Sequence, residues 1–217
     1  MKALLVGASP VRSSVDLVVR LAEEADVVLA VDGGGTLCLE AGIVPDRAVG
    51  DFDSLPGADF EALRDQGVKI RDFPADKDAS DLELAVAEAR SLGATSLVLT
   101  AVTGGRLDHS LATLGTIAAA CDLGPRVVEC DCELVVLSAG RRACVCLEGA
   151  GATFSVMAYC GGATVTVSGA TWSLSREHLD PCSSRGLSNR IDAGGQATVS
   201  SESGIVLVVT DGVASIA

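Results

Sequence analysis

The 217-residue chain has few aromatic and few basic residues. Aromatic side chains make up 3% of it, with a single Trp and a single Tyr, and its 16 Lys and Arg face 29 Asp and Glu, for a formal net charge of −13. Proteins that bind nucleic acids draw much of their affinity from Lys and Arg, which displace counterions from phosphates. The charge balance therefore argues against a nucleic-acid partner and favours a small ligand bound together with a metal ion.

Long hydrophobic runs are also missing from the sequence. No stretch reaches the ~18 apolar residues that a membrane-spanning helix needs. The opening segment, Met1 to Gly7, contains one Lys and an apolar run too short for a secretory signal peptide. We therefore expect a cytoplasmic protein with no membrane partner, and its 48% hydrophobic content is enough to bury a full core.

Cysteine, in contrast, is plentiful, with eight residues. In a reducing compartment thiols rarely form disulfides and usually pack as small apolar side chains. Cys130-x-Cys132 and Cys144-x-Cys146 have one-residue gaps within alternating, strand-like segments, whereas a zinc knuckle has wider gaps and a turn glycine. The sequence favours core packing over metal binding for these cysteines.

Apolar, β-branched runs alternate with segments of helical spacing in the first half of the chain. The predicted strands are Leu4 to Val6, Val27 to Val31 and Ser96 to Thr100, and the predicted helices are Val15 to Ala25, Asp59 to Gln66, Asp81 to Ser91 and about His109 to Cys121. This alternation indicates a Rossmann-like α/β domain with a parallel sheet. Ser80 is a typical N-cap, and Glu83 completes a capping box with it.

The second half of the chain has short strand-like runs separated by Gly-rich turns. The predicted strands are Glu133 to Leu137, Thr153 to Ala158, Thr164 to Val167, Gln196 to Ser200 and Ile205 to Thr210. This texture is typical of an antiparallel β-sandwich. We place the boundary between about Leu123 and Gly140, which divides the chain into an α/β domain over 1–130 and a β-sandwich over 131–217.

Acidic residues stand beside glycines or cations in several short segments. The segments are Asp32-Gly33-Gly34, Gly50-Asp51-Phe52-Asp53-Ser54, Asp76-Lys77-Asp78-Ala79-Ser80-Asp81 and Thr103-Gly104-Gly105-Arg106-Leu107-Asp108-His109. Most of them directly follow an apolar run, and ligands of open α/β sheets bind beyond the carboxyl ends of the strands. Carboxylates next to a polyphosphate require a hard cation such as Mg²⁺ to bridge the two. The pattern predicts a site for a nucleotide and Mg²⁺.

Individual residues of these segments suit that chemistry. Asp51 and Asp53 are two apart, so in extended backbone both could ligate one Mg²⁺ or lie on either side of two ions. Arg106 can pair bidentately with phosphate, and Lys77 offers a second, more mobile positive charge. The structural alternatives are turns or caps for the acids and surface ion pairs, of Arg106 with Asp108 and of Lys77 with Asp78.

Read together, the segments resemble the thiamine pyrophosphokinase family, which transfers a diphosphate from ATP to thiamine and releases AMP. The resemblance covers nearly the whole chain. In its second half, Gly169-Ala170-Thr171-Trp172-Ser173-Leu174 and Ser184-Arg185-Gly186-Leu187-Ser188-Asn189 resemble the family's thiamine-binding β-domain. The chain departs from the family after the first strand, where Gly7-Ala8-Ser9-Pro10 replaces an Asn-Gly-Glu type segment and Ser9 could donate a hydrogen bond.

The resemblance implies roles for particular residues. Catalysis is implied for Asp51, Asp53, Asp81 and Arg106, with the three aspartates holding Mg²⁺. Nucleotide binding is implied for Asp32, Gly33, Lys77, Asp78, Ser80, Thr103, Gly104, Gly105, Asp108 and His109. Thiamine binding is implied for Trp172, Ser188 and Asn189, because an indole face suits a cationic heteroaromatic ring. The alternatives are core packing for Trp172 and a turn or cap for Ser188 and Asn189.

The resemblance also implies a homodimer, in which thiamine lies between the β-domain of one chain and the α/β domain of the other. Two other functions stay open at this point. One is a pyrophosphokinase for another hydroxymethyl heterocycle such as a pterin, against which the β-domain with Trp172 argues. The other is a non-catalytic sensor of nucleotide or thiamine, which would not need Asp51, Asp53, Asp81 and Arg106 together.

Overall fold

The computed structural model describes residues 1–9, 13–141, 143–212 and 215–216. The chain forms two compact units, Met1–Thr116 and Ile117–Ala217. Pro10 of the predicted N-terminal loop lies outside the described residues. The division of functions at residue 130 stays a prediction.

Strands and helices alternate along the first unit. They are β1 (Lys2–Val6), α1 (Val15–Glu23), β2 (Val27–Val31), α2 (Gly34–Glu40), β3 (Arg47–Gly50), α3 (Gly57–Asp65), β4 (Lys69–Asp72), α4 (Asp81–Ser91), β5 (Ser96–Thr100) and α5 (Leu107–Ala119). The strands pair in parallel in the order β5-β1-β2-β3-β4. The predicted parallel α/β fold is therefore confirmed.

The apolar pattern of the sequence accounts for these elements. The central strand β1 buries Ala3 to Val6 completely, because parallel strands are covered by helices on both faces. Helix α1 buries Leu17, Val18 and Leu21, one face at helical spacing. Ser80 caps α4 by accepting the Glu83 N–H, while the Glu83 carboxylate accepts the Ser80 N–H, which confirms the predicted capping box.

Three elements of this unit have no counterpart in the sequence prediction. Helix α2 has seven residues and begins with two glycines, so it is too short to show a clear apolar repeat. The edge strand β4 has the sequence Lys-Ile-Arg-Asp, is largely exposed and has no apolar run. Strand β3 has only four residues.

The second unit is built from antiparallel strands. They are β6 (Arg126–Val128), β7 (Glu133–Ser138), β8 (Cys144–Glu148), β9 (Thr153–Ser168), β10 (Leu174–Leu179), β11 (Asn189–Arg190), β12 (Gln196–Thr210) and β13 (Ser215–Ile216), after a short 3₁₀ turn at Cys121–Leu123. They pair in the order β10-β9-β12-β7-β6, with β8 and β11 attached to β12 and β9 and with β13 attached to β8. The predicted antiparallel β fold is confirmed.

Strands β9 and β12 are longer than the sequence suggested. Each joins two predicted strands, and they pair with each other over nearly their whole length. The register shifts near Gly204, whose φ of 77° marks a kink within the strand, as does the φ of 136° at Gly161. Glycines that predicted turns are therefore bends in two continuous strands, which wrap a shared apolar core that includes Phe154.

The cysteines do not pack as the sequence suggested. All eight are free thiols, and of these only Cys38 is buried, where burial raises its pKa to about 12. In β8 the buried residues are Val145 and Leu147, so Cys144 and Cys146 lie on the opposite face. The predicted alternation is right, but cysteine occupies the face away from the core.

Among the helices of the described ranges, none has the length and apolar character to cross a membrane.

Candidate active site

Two of the predicted acids follow neighbouring parallel strands. Asp32 comes directly after β2 and Asp51 directly after β3, and the Asp32 N–H donates to the Val49 carbonyl at 2.8 Å. Asp32 has a φ of 49° and Phe52 a φ of 60°, conformations that L-residues other than Asn and Asp rarely adopt. Backbone strain of this kind is concentrated at functional sites.

Gly50 allows this close approach. A Cβ at Gly50 would lie 3.1 Å from the Asp32 Cβ, and its φ of 153° is unfavourable for other residues. The end of β3 therefore requires glycine if Asp32 is to keep its place. Gly50, the first residue of the predicted segment Gly50 to Ser54, thus leaves room for Asp32.

Three aspartates form a candidate metal centre. One carboxylate oxygen from each of Asp32, Asp51 and Asp53 lies within 4.8 Å of the others. The Asp32 Oδ1 atom is buried and has no hydrogen-bond partner within the described part of the chain. A buried carboxylate oxygen without a partner is costly, and a hard divalent cation would satisfy it. These residues fit Mg²⁺.

Ser54 fixes the orientation of Asp32. Its hydroxyl donates to Asp32 Oδ2 and accepts the Gly33 N–H at 3.1 Å. One serine thus binds one oxygen of Asp32 and leaves the other oriented for a ligand. The sequence analysis gave Ser54 no role, although its place directly after Asp53 in the acidic segment was the available signal.

Lys77 links two further acids. Its Nζ lies 2.8 Å from Asp51 Oδ2 and 3.0 Å from Asp81 Oδ1, so it pairs with these acids and not with the neighbouring Asp78 of the structural alternative. The Lys77 hydrogen bond lowers the pKa of Asp51, whereas burial raises the pKa of Asp81. Burial alone would lower the pKa of Lys77, but its bonds to Asp51 and Asp81 outweigh it and raise the pKa.

The predicted metal ligands were Asp51, Asp53 and Asp81. The structure brings Asp51 and Asp53 together with Asp32, and it connects Asp81 to Asp51 through Lys77. Asp78 is exposed in the turn before α4, and the hydroxyl of Ser80 is engaged in the capping box. Their roles toward a nucleotide stay predictions.

The glycine loop before α5 is held by hydroxyl groups. Ser110 Oγ accepts the Gly104 N–H at 3.2 Å, Thr113 Oγ1 donates to the Val102 carbonyl at 3.2 Å, and Ser9 Oγ donates to the Thr103 carbonyl. Ser110 and Thr113 were missed by the sequence analysis. Gly104 and Gly105 have φ values of 96° and 67°, which explains the two glycines.

Arg106 makes the surface ion pair that was its structural alternative. Its Nη2 lies 2.7 Å from Asp108 Oδ2, and the two side chains are 71% and 65% exposed. The hydrogen bond raises the pKa of Arg106 and lowers the pKa of Asp108 to about 2. His109 is exposed in the first turn of α5, which begins at Leu107, two residues before its predicted start. An exposed pair costs little to rearrange, so the guanidinium can still turn to a phosphate.

The predicted thiamine residues lie in the second unit. Trp172 is 57% exposed in the loop between β9 and β10, which contradicts the alternative of a core aromatic. Ser188 is exposed with a φ of 54°, and its N–H donates to Ser155 Oγ at 3.1 Å. Asn189 is 4% exposed, with its side-chain amide bonded to the Trp172 backbone.

Comparison with known proteins agrees with this two-part arrangement. The family model "Thiamin pyrophosphokinase, catalytic domain" matches residues 18–128, and "Thiamin pyrophosphokinase, vitamin B1 binding domain" matches residues 145–206. A thiamine pyrophosphokinase of Bacillus subtilis is 33% identical over 92 residues, which are 42% of this chain and 43% of that protein. The sequence alignment thus spans less than half the length of that relative.

Solved structures match over a greater length. A thiamine pyrophosphokinase of Bacillus subtilis has a TM-score of 0.81 with 21% identity and covers 97% of this chain and 99% of its own. A thiamin pyrophosphokinase of Geobacillus thermodenitrificans has a TM-score of 0.78 with 26% identity and covers 97% of each chain. With a catalytic-domain match over more than half of its residues and a vitamin B1 binding-domain match after it, the chain belongs to the thiamin pyrophosphokinase family.

Proposed function

We propose that this protein is a thiamine diphosphokinase, which transfers the diphosphate of ATP to the hydroxyl of thiamine and yields thiamine diphosphate and AMP. The observation that carries the proposal is the cluster of Asp32, Asp51 and Asp53 oxygens, with Asp32 Oδ1 buried and unpartnered. Family membership and the name of the Bacillus subtilis relative support it.

The acids of the first unit prepare the transfer. Asp51, Asp53 and Asp81, with Asp32, would hold Mg²⁺, which when bound neutralises the polyphosphate and aligns it for attack at the β-phosphorus. A bond forms between the thiamine hydroxyl oxygen and the β-phosphorus, and the bond from that phosphorus to the oxygen retained by AMP breaks. One of Asp51, Asp53 and Asp81 accepts the hydroxyl proton.

Cations and the glycine loop serve the nucleotide. Lys77 lies between two aspartates and would contact a phosphate, and Arg106 would stabilise charge on the transferring group once it leaves Asp108. The remaining residues proposed for nucleotide binding are Gly33, Asp78, Ser80, Thr103, Gly104, Gly105, Asp108 and His109. Glycines at the start of α5 let a phosphate reach backbone amides.

The second unit supplies substrate selection. The exposed indole of Trp172 offers a flat face on which a cationic heteroaromatic ring can stack. Ser188, which precedes Asn189 in the chain, is exposed and would offer its hydroxyl to the ligand. In this proposal, the single Trp of the chain is exposed because it stacks on thiamine.

We also propose a cytoplasmic homodimer with shared active sites. Leu107 and Leu111 are 73% and 59% exposed, one turn apart on α5, and Leu187 is 46% exposed beside the predicted thiamine residues in sequence. Two large apolar side chains on one face of an exposed helix turn, as with Leu107 and Leu111, favour contact with another chain. The eight free thiols are compatible with the reducing cytoplasm.

One assay tests the proposed function. Purified protein is incubated with ATP, Mg²⁺ and thiamine, and both AMP and thiamine diphosphate are quantified. We expect the two products in equal amounts. Formation of ADP, or a lack of thiamine diphosphate, would overturn the proposal. A parallel reaction with a hydroxymethylpterin in place of thiamine checks the alternative substrate, and we expect no diphosphorylated pterin.

A further inference from the structure

Asn189 is a buried polar side chain that hydrogen-bonds both backbone groups of Trp172. Its Oδ1 accepts the Trp172 N–H at 3.1 Å and the Arg190 N–H at 2.8 Å, and its Nδ2 donates to the Trp172 carbonyl at 2.8 Å. A backbone donor and a backbone acceptor of the same residue are therefore held by a single side chain. With only 4% exposure, Asn189 is turned away from solvent.

Other hydrogen bonds hold the residues on either side of Trp172. Ahead of it, Ala170 makes an isolated bridge to Ile191, and the Thr171 N–H donates to the Arg190 carbonyl at 2.9 Å. Trp172 itself lies between strands, and strand β10 begins two residues later at Leu174. The hydrogen bonds of Asn189, in contrast, are made to the backbone of Trp172 itself.

The consequence for the indole follows from its exposure. A side chain that is 57% exposed has little packing to hold it, so its direction depends on its backbone. Backbone groups that lose a buried partner must find another, which moves the loop. A flat aromatic face binds a ring well only if it is already oriented before the ligand arrives.

We propose that Asn189 is a positioning residue that orients Trp172 for the thiamine ring and acts through that residue. The proposal rests on the proposed role of Trp172 in thiamine binding. It replaces the direct contact between Asn189 and thiamine that the family resemblance implied. Specificity in this unit then comes from a buried amide and an exposed indole acting together.

The experiment uses the single Trp of the chain as its own reporter. Asn189→Ala removes all three hydrogen bonds, and Asn189→Asp keeps the acceptor for two N–H groups but loses the donor to the Trp172 carbonyl. Ser173→Ala is the matched control, because it removes a loop hydrogen bond, from Ser173 Oγ to the Ala170 carbonyl, that does not involve Trp172. For each variant we measure the Tm, acrylamide quenching of Trp172 fluorescence, and KM for thiamine and for ATP.

We expect Asn189→Ala to raise the KM for thiamine about tenfold, as for the loss of one or two buried hydrogen bonds, with the KM for ATP changed less than about twofold. Quenching of Trp172 should increase, and Ser173→Ala should change neither value. Asn189→Asp should change both values in the same direction. A folded Asn189→Ala protein with wild-type quenching and wild-type KM for thiamine would overturn the proposal.

A double-mutant cycle separates positioning from direct contact. If Asn189 acts through the indole, Asn189→Ala should have no further effect on the KM for thiamine in a Trp172→Ala protein. An undiminished effect in that background would show direct contact and overturn the proposal. If Trp172→Ala alone leaves that KM unchanged, the proposed role of Trp172 fails, whereas the fluorescence result still reports whether Asn189 orients the loop. If Asn189→Ala does not fold, the same cycle is run with Asn189→Asp.

Discussion

The two units fix their predicted site residues in different ways. In the first unit, Asp32 and Asp51 follow adjacent parallel strands, Ser54 binds Asp32, and Lys77 binds Asp51 and Asp81. Asp32 and Asp51 are each contacted by a side chain from another segment of the chain, whereas Asp53 is exposed. In the second unit, both backbone groups of Trp172 depend on one amide, that of Asn189. The proposed metal site is therefore supported by contacts from several segments, whereas the two backbone groups of Trp172 are hydrogen-bonded by one side chain.

The largest expected effect separates chemistry from folding. Asp53→Asn should reduce turnover by about a thousandfold or more, because it removes one charged ligand of the proposed metal centre. The Tm should stay near that of the wild type, because Asp53 is exposed. The measurement is AMP release with a thermal melt in parallel. Asp65→Asn, an exposed acid at the end of α3, is the control and should retain full turnover. Near-normal turnover of Asp53→Asn would remove that residue from the site.

Mixing two variants tests whether Asp53 of one chain and Trp172 of another serve the same site. Asp53→Asn and Trp172→Ala proteins are each impaired in a different unit. If thiamine lies between two chains, a heterodimer of the two variants contains one intact site, so mixing and reassociation should restore up to about a quarter of wild-type activity, the share expected from random pairing. Restoration of no activity, with a monomeric mass by light scattering, would exclude shared sites.

An intermediate effect should come from Ser54. Ser54→Ala leaves Asp32 without its hydroxyl donor, so we expect Mn²⁺ affinity, measured by electron paramagnetic resonance, to fall about tenfold. Ser54→Thr keeps a hydroxyl and should recover most of the affinity. The KM for thiamine should be unchanged in both variants, in contrast to Asn189→Ala. An equal loss in Ser54→Thr and Ser54→Ala would show that the hydroxyl is not the cause.

The smallest effect should come from Asp108. Its pKa of about 2 lies below the usual value, so the ionised carboxylate stabilises the folded chain above the ordinary pKa of about 4, and this contribution is lost as the pH falls through 2. The pair is highly exposed, so Asp108→Asn should leave the Tm at pH 7 almost unchanged. An NMR titration of Asp108 should show its pKa rising toward the usual value in Arg106→Ala. An unchanged titration would show that Arg106 is not the cause of the shift.

The sequence predicted the parts of the fold that depend on local pattern. The parallel strands β1, β2 and β5, the helix α4 and its capping box follow from apolar spacing and cap chemistry within a few residues. Which face of an alternating strand is buried, in contrast, cannot be read from the local sequence. Cys144 and Cys146 alternate with Val145 and Leu147, all four are apolar in type, and the sheet alone decides which pair is buried.

The same distinction applies to the site. Acids at strand ends can be read from sequence, because the carboxyl ends of parallel strands meet at one edge. The bonds that orient them join residues 26 positions apart, as in Lys77 and Asp51, or 22 apart, as in Ser54 and Asp32. Such pairings depend on the conformations of the loops that follow the strands, which local sequence does not specify. Asn189 is a further example, since the sequence shows its place in a motif but not the hydrogen bonds of its amide to Trp172, 17 positions away.

Lys77 has a consequence for how the protein tolerates a shortage of metal. Asp32, Asp51 and Asp53 cluster after β2 and β3, and Asp81 at the start of α4 is linked to Asp51 through Lys77, so repulsion among these acids would oppose folding. The ammonium group, 2.8 Å from Asp51 and 3.0 Å from Asp81, acts as a built-in counter-ion. Small domains that take their folding free energy from a metal unfold when the metal is withdrawn. With the proposed Mg²⁺ withdrawn, we therefore expect the proposed activity to be lost before the chain unfolds.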